Sequence, residues 1–493
     1  MPISSLPSKY GIGTLGKGAR DFIDFLEKSG QTYWQVLPIG PTGYGDSPYQ
    51  SFSSNAGNPY FIDLDDLCDE GYLEKEEYVN ENYGTDVNCV DYAQIYNTRF
   101  TVLRKAVERL SAVQTEDYLS FLRDNAYWLN DYALFMAEKD DHKGQAYTTW
   151  EEDIRKHDTK TLENERVRLQ KNVEFYLGLQ YFFFHQWKKM REYGRKHGVY
   201  LIGDVPIYVS PDSSDIWGNP ELFQLDEDMK PTGVAGCPPD AFSADGQLWG
   251  NPLYNWDKMK DDDYTWWVNR VRYQFEFLDI LRIDHFRGFE SYFCIPYGDK
   301  TARNGVWKKG PGYELFRTIE EKLGKVSIIA EDLGFLTPEV IQMVKDTGYP
   351  GMKVLQFAFD PRDTGSGYLP HLYTNNSVVY PGTHDNETIM GWMDDAPEGF
   401  ADHAIEYMHL DKKEGYNWGF IRSAYGSVSD LAVIQMQDIL GLGNEARMNT
   451  PSTLGGNWTW RAAESVFTDK LAEKLYHMTE IYGRLADQVK KEN

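Results

Sequence analysis

An α/β fold of the (β/α)8 barrel kind is predicted by two features of the chain. Short, strand-like apolar runs alternate with helix-patterned stretches, the pattern of parallel strands joined by crossover helices. Three of those runs close on a carboxylate: residues 278–288 (LDILRIDHFRG), 326–334 (VSIIAEDLG) and 377–388 (SVVYPGTHDNET). The acids are Asp284, Glu331 and Asp385. A barrel gathers the residues at the C-terminal ends of its strands on one mouth.

The elements follow in order. Residues 3–6 are a short first strand, 18–29 carry helical periodicity, and 33–39 (YWQVLPI) are a second strand. Residues 199–209 (VYLIGDVPIYV) form a third, with Asp204 inside it. The runs ending at Asp284 and Glu331 are the fourth and fifth. Residues 352–359 (MKVLQFAF), followed by Asp360, are the sixth. The run ending at Asp385 is the seventh, and 431–442 contain the eighth. The second and third strands lie much further apart than one crossover helix needs. Residues 74–196 between them are charged and mostly helix-patterned, as at 99–110 and 162–193, and read as an inserted helical subdomain. The expected organisation is therefore 1–73 as the first part of a catalytic barrel, 74–196 as the insertion and 197–493 as the remainder. Residues 459–493 read as a closing helix. Residues 236–256 (GCPPDAFSADGQLWGNPLYNW) carry three Pro, three Gly and two Trp without a helical or strand period, so a long active-site loop is expected there.

Composition narrows the partners. The 493 residues suffice for one elaborated barrel. The formal charge of −26 argues against nucleic acid and anionic membranes, whose partners are usually basic. The chain holds 34 Tyr, 25 Phe and 14 Trp, more flat faces than is usual; sugar rings can stack on such faces, although large barrels also bury many aromatics. The four cysteines are scattered with no C-x-x-C, so neither a disulfide framework nor a zinc site is indicated. Nothing at the N-terminus resembles a signal peptide and no run approaches membrane-spanning length, so a cytoplasmic location is expected. A monomer or weak homo-oligomer is the expected state.

The motifs that carry chemistry are few. Residues 11–16 (GIGTLG) match a dinucleotide fingerprint, but barely a strand precedes them and no acid lies between Glu27 and Asp46 to hold a ribose. Residues 11–17 match most of a phosphate loop, but Gly18 stands where Ser or Thr should hold magnesium. A loop leading into a helix is the better reading. No H-E-x-x-H and no G-x-S-x-G is present, and no cofactor or metal is expected. The three acids remain. Arg282 shares a strand face with Asp284 and would favour its ionised form, as a nucleophile requires; a structural ion pair is the plain alternative. Glu331 follows an apolar approach that would raise its pKa, as a general acid requires. Adjacent strand residues face opposite sides, so only one of Glu331 and Asp332 can point into the mouth. His384 and Asp385 can donate to and accept from neighbouring hydroxyls; capping a helix is the alternative role for Asp385. Two carboxylates are the minimum equipment for cutting a glycosidic bond, and a third can grip sugar hydroxyls.

LRIDHFRG, AEDLG and THDNE, in this order, resemble the α-amylase clan of glycosidases. LPSKYGIGTLG, WQVLPIGPTGYGDSPYQSFSSNAGNPY, GDVPIYV, CPPDAFSADGQLWGNPLYNW and VLQFAFD resemble more narrowly the 4-α-glucanotransferases of glycoside hydrolase family 77. The resemblance covers nearly the whole chain. It implies Asp284 as nucleophile, Glu331 as acid/base and Asp385 as transition-state stabiliser. It implies Arg282 and His384 as helpers around the cleaved sugar, and Asp204 and Tyr49 as groups lining the same subsite. Ser47, Asp240, Gln247, Trp249, Asp360 and Asn457 match substrate contacts further out, with His285 beside the nucleophile. Tyr44 matches a remote glucan-binding position. The implied partners are α-1,4-glucans and maltooligosaccharides, with glucose as acceptor or product.

The chain departs from that pattern at two points. Ala241 stands where some members carry Tyr, which would loosen the lid over the acceptor. Only Met-Pro-Ile precedes SSLPS, which leaves open a late start or a shortened leading strand. Two rivals share the sequence features: a hydrolase of the same clan, and a non-catalytic glucan-binding protein.

Overall fold

A computed structural model describes residues 1–239, 244–334, 336–363 and 365–486. Among the described residues, eleven strands form two sheets. In chain order they are β1 (Tyr33–Gln35), β2 (Tyr200–Pro206), β3 (Gly233–Cys237), β4 (Gln247–Pro252), β5 (Ile280–Asp284), β6 (Ser291–Pro296), β7 (Val306–Lys309), β8 (Ile328–Ala330), β9 (Gly351–Val354), β10 (Ser377–Tyr380) and β11 (Leu431–Ala432).

The main sheet has seven parallel strands in the order β1-β2-β5-β8-β9-β10-β11 and curls into most of a barrel. Side chains alternate between its two faces, as the pleat requires. On β5, Leu281 and Ile283 join the large core that includes the surrounding helices. Ile280, on the opposite face, packs with Ile202, Ile329, Met352, Val354, Val378 and Tyr380 in a small inner core. Arg282 and Asp284 share the face of Ile280 and so rise from that inner core toward the mouth.

The predicted first strand is not a strand. Ile3–Ser5 is a single 3-10 turn, with Leu6 N–H donating to the Ile3 carbonyl at 3.1 Å. Its two serines sit in a run too short and too polar to sustain a ladder. Among the described residues no strand joins β1 to β11. A cavity of about 450 Å3 lies between these edges, lined by Trp34, Leu431, Val433 and Leu475 among others. The sixth predicted strand is also shorter than its apolar run: β9 ends at Val354, and Leu355–Ala358 turn as a 3-10 helix.

The helical stretch between β1 and β2 contains the long helices Tyr92–Val113, Ala126–Asp141 and Gln170–Lys196. The first is capped by Asp91, whose carboxylate accepts from the Gln94 N–H at 3.0 Å. The third is pinned to the barrel by its own amides. Gln180 donates to the Gly57 carbonyl at 2.9 Å, and Gln186 accepts from the Asp63 N–H at 2.6 Å. These helices share one continuous apolar core with the barrel. The closing helix is Asp469–Ile481.

The stretch predicted to be a long loop, 236–256, instead supplies β4 and the end of β3 to a second sheet. β4, β3, β6 and β7 pair antiparallel in that order. The pairing is invisible to local periodicity because β3 finds its partner β6 more than fifty residues downstream. No helix among the described residues is long and apolar enough to cross a membrane.

Candidate active site

Three adjacent strands carry the polar centre. The β2–β5 register sets Asp204 opposite Arg282 and Pro206 opposite Asp284. Arg282 therefore reaches both acids. Its Nη1 donates to Asp204 at 2.6 and 2.8 Å, and its Nη2 lies 2.9 Å from Asp284 Oδ1. Both Arg282 and Asp204 are almost wholly buried. Burial alone would lower the guanidinium's pKa, but Asp204 and then Asp284 outweigh it and hold it well above the ordinary value. Burial raises Asp204, against the pull of Arg282. The Tyr49 hydroxyl completes this group by donating to Asp204 Oδ2 at 2.8 Å.

Glu331 follows β8 directly. Ile283 pairs with Ala330, so Asp284 and Glu331 leave neighbouring strands at the same level. Its carboxyl is held from both ends of its own neighbourhood. Oε2 accepts from the His285 N–H at 2.6 Å, and Oε1 from the Leu333 N–H at 2.9 Å. Burial, then the charge of Asp284, pushes Glu331 up to about 8 in spite of those donors. His285 aims its N–H this way by adopting a left-handed backbone, φ 54°. Desolvation pulls the pKa of its ring down to about 4. Asp332 turns the other way, accepting from the Met352 N–H at 2.7 Å. A Cβ on Gly351 would lie 2.4 Å from that carboxylate, so only glycine lets Asp332 seat there.

Asp385 lies in the loop after β10. Its Oδ1 accepts from Asn449 Nδ2 at 2.6 Å and lies 3.4 Å from His384 Nε2. The His384 ring stacks on Tyr49, centroids 5.2 Å apart, and so joins Asp385 to the Asp204–Arg282 group.

The other predicted contacts divide. Trp249, on β4, meets the His285 ring edge-on at 4.7 Å and donates from its indole to Gln247 at 3.0 Å. Ser47 Oγ accepts from the Tyr49 N–H at 3.3 Å and shapes the turn that presents that tyrosine. Asn457 accepts from the Thr450 N–H at 3.0 Å and braces the loop that carries Asn449. Asp360 instead pairs with Arg362 and falls to about 2. Tyr44 is fully exposed. Asp240 and Ala241 lie outside the described residues. Sequence reasoning missed Asn449, Arg447 and Trp458, which reach the site from a segment with no periodic signal.

The one candidate metal group among the described residues already has partners. Among the described residues, Glu138, Asp141 and His142 come close enough to share an ion, but Arg168 pairs with Asp141 at 2.9 Å and Glu165 at 2.5 Å. The His142 ring nitrogens both face oxygen acceptors at 2.8 Å. This cluster sits on the inserted helices, away from the strand-end acids.

Carboxyl groups gathered at one barrel mouth are the minimum equipment for cutting a glycosidic bond. The family described as glycoside hydrolase family 77, 4-alpha-glucanotransferase, matches residues 1–466. A 4-alpha-glucanotransferase of Clostridium butyricum is 50% identical over 486 residues, covering 98% of this chain and 100% of that protein. One of Streptococcus pneumoniae is 48% identical over 492 residues, covering 99% and 97%. Among solved structures, an amylomaltase from Streptococcus agalactiae in complex with acarbose superposes with a TM-score of 0.96 at 42% identity, over 99% of each chain. The chain belongs to glycoside hydrolase family 77 and is an enzyme of the 4-α-glucanotransferase class.

Proposed function

We propose that the enzyme moves a segment of an α-1,4-glucan to the 4-OH of an acceptor sugar by double displacement, with Asp284 as nucleophile and Glu331 as acid/base. The single observation that carries this reading is the β5–β8 register. It sends Asp284 and Glu331 from neighbouring strands at one level. Acids leaving adjacent strands at one level can bring their carboxyl groups to the roughly 5–5.5 Å that a retaining pair needs.

In the first step a lone pair of the Asp284 carboxylate attacks the anomeric carbon. The bond from that carbon to the glycosidic oxygen breaks, and the oxygen takes the proton of Glu331. A glucosyl ester on Asp284 results. In the second step the acceptor's 4-OH attacks the same carbon, its proton goes to Glu331, and the ester bond returns its electrons to Asp284. Two inversions leave the α configuration unchanged. Burial readies Glu331 for the first step by keeping its proton on near neutral pH. Arg282 orients Asp284 through their 2.9 Å ion pair. Asp385 grips hydroxyls more tightly as the ring flattens. Arg282, His384, Tyr49 and Asp204 surround the cleaved sugar, and Trp249 with Gln247 borders the acceptor. All the chemistry is supplied by side chains.

The relative's complex with acarbose supports an α-glucan oligosaccharide as the occupant of the mouth. The helices of 74–196 act in this reading as an inserted layer that buttresses the segment bearing Tyr49, through Gln180 and Gln186. The test is a product profile from pure maltotriose, beside Glu331→Gln. A ladder of longer maltooligosaccharides plus glucose, reduced about 10³-fold or more in the variant, is expected. Glucose and maltose alone would point to hydrolysis, and an undiminished Glu331→Gln would remove Glu331 from the mechanism.

A further inference from the structure

Asp385 is held differently from the other two acids. Its side chain is 46% exposed and it stands in a loop rather than at a strand end. Left alone, such a carboxylate would rotate broadly about its terminal torsion. Residues 447–449, more than sixty positions further along the chain, prevent this. The Arg447 guanidinium donates from Nη2 to the Asp385 carbonyl at 2.7 Å and from Nε to the Asn449 carbonyl at 2.9 Å. The Asn449 N–H donates to the His384 carbonyl at 3.1 Å. The Asn449 side chain then reaches Asp385 Oδ1 at 2.6 Å. The partner is a carboxylate and can only accept, so the amide nitrogen must face it. The same segment is fastened behind: the Trp458 N–H donates to the Met448 carbonyl at 2.7 Å, and the Trp458 ring packs on His384 and Tyr49 at 5.8 and 5.9 Å.

We propose that Asn449 is a positioning residue for glucan transfer. Its amide fixes Oδ1 of Asp385, which leaves Oδ2 as the oxygen presented to the sugar hydroxyls. An amide suits this task because it donates strongly to an anion without adding charge beside it. Arg447 fixes the backbone of Asp385 while Asn449 fixes its carboxylate. The proposal rests on Asp385 acting as stabiliser, and the experiment separates the two ideas.

Steady-state disproportionation kinetics are measured for Asn449→Ala, Asn449→Asp, Asp385→Ala and the Asn449→Ala/Asp385→Ala double variant, with melting temperatures. Asn449→Ala is expected to lower kcat about 10- to 100-fold, the worth of one hydrogen bond to a charged group, with KM within about threefold. The double variant is expected to be no slower than Asp385→Ala alone, because a residue that acts through Asp385 has nothing left to position. Asn449→Asp keeps the shape and adds a charge. Two carboxylates that close repel each other until they share a proton, so its kcat should recover as the pH falls below about 6 and that proton is taken up, where the wild type shows no gain. A purely structural role would not produce that pH response. An Asn449→Ala kcat within about twofold of wild type, beside a crippled Asp385→Ala, would overturn the role of Asn449 and leave that of Asp385. An active Asp385→Ala would overturn both. If Asn449→Ala does not fold, the isosteric Asn449→Asp decides: a flat response to acid overturns the proposal.

Discussion

Asp284 and Glu331 stand on one side of the mouth and Asp385 on the other, and the two sides are built by different means. Asp284 and Glu331 leave adjacent parallel strands, and each is gripped by a neighbour within two residues or on the next strand. Asp385 leaves a loop and is gripped by an asparagine that the chain brings back from 64 positions away. The first side is set by strand register, which the whole sheet must break to disturb. The second is set by one side chain on a loop. Burial follows the same division. Arg282 is shielded from water, Asp284 and Glu331 are partly buried, and the Asp385 carboxylate is half exposed. The groups that make and break bonds thus stand on the side that strand register holds. The group that grips the sugar as its ring flattens is more open to water and is held in place from a distant segment.

The largest effect expected from this division is at Arg282. One guanidinium serves two acids, Asp204 and Asp284, with almost no access to solvent. Arg282→Ala leaves the buried Asp204 and the partly exposed Asp284 without their cation. Breaking a buried pair in this way is worth about 3–5 kcal/mol, so kcat/KM should fall roughly 10³-fold, with a lower melting temperature. Arg282→Lys should recover only part of the loss, because an ammonium cannot fork between two carboxylates. Kinetics on maltotriose check this. A loss under about tenfold for Arg282→Ala would mean that the β5 side does not depend on this pairing.

The next effect is in pH. Glu331 is raised from 4.5 to about 8, so its protonated form prevails below about 8. The acid step requires that proton. The alkaline limb of kcat/KM should therefore bend near pH 8 and fall about tenfold for each further pH unit. Stability carries the matching sign. Between pH 4.5 and about 8 the folded state keeps a proton that the unfolded chain loses. The wild type should therefore lose stability relative to Glu331→Gln as the pH rises through that window, with the smallest gap below 4.5. A melting-temperature gap that does not widen with pH would show that Glu331 is not desolvated. Asp385→Asn offers the contrast: it should leave the alkaline limb where it is.

How much of this could be read from the chain follows the same line. Asp204, Arg282, Asp284 and Glu331 were legible because a buried parallel strand demands an apolar run, and an acid at its end stands out. The two-residue pleat placed Arg282 beside Asp284 and separated Glu331 from Asp332 without any tertiary information. Asp385 was legible as a residue but its support was not, since nothing in RMNTPST announces a contact with THDNE. The same limit hid the second sheet. GQLWGNP has two glycines and a proline and no alternation, and its pairing depends on the distant SYFCIP. Residues 3–6 erred in the opposite direction: a short apolar run suggested a strand where the backbone turns. The Tyr49–His384–Trp458 stack joins three remote segments and has no local signal at all.

The smallest effect expected is at Trp249, and it asks whether β4 belongs with the side that strand register holds. Its ring packs edge-on against His285, whose N–H in turn holds Glu331. Trp249 itself is only partly buried, and its strand belongs to the small sheet rather than to the barrel. Transfer requires an acceptor sugar to outrun water at about 55 M, which positioning can achieve because it supplies effective molarities of roughly 10⁵ M or more. A flat indole beside the acid/base offers an acceptor ring a stacking face and water none. Trp249→Ala should therefore raise the ratio of hydrolysis to transfer about three- to tenfold, while total bond cleavage falls less than about threefold. Reducing sugar released against glucose released from maltotriose measures that ratio. If cleavage collapses instead, Trp249 acts through His285 on Glu331, and β4 counts with that side. If neither quantity moves, the small sheet neither shields the intermediate nor steadies the acid, and acceptor selection must lie with the residues that border Asp385.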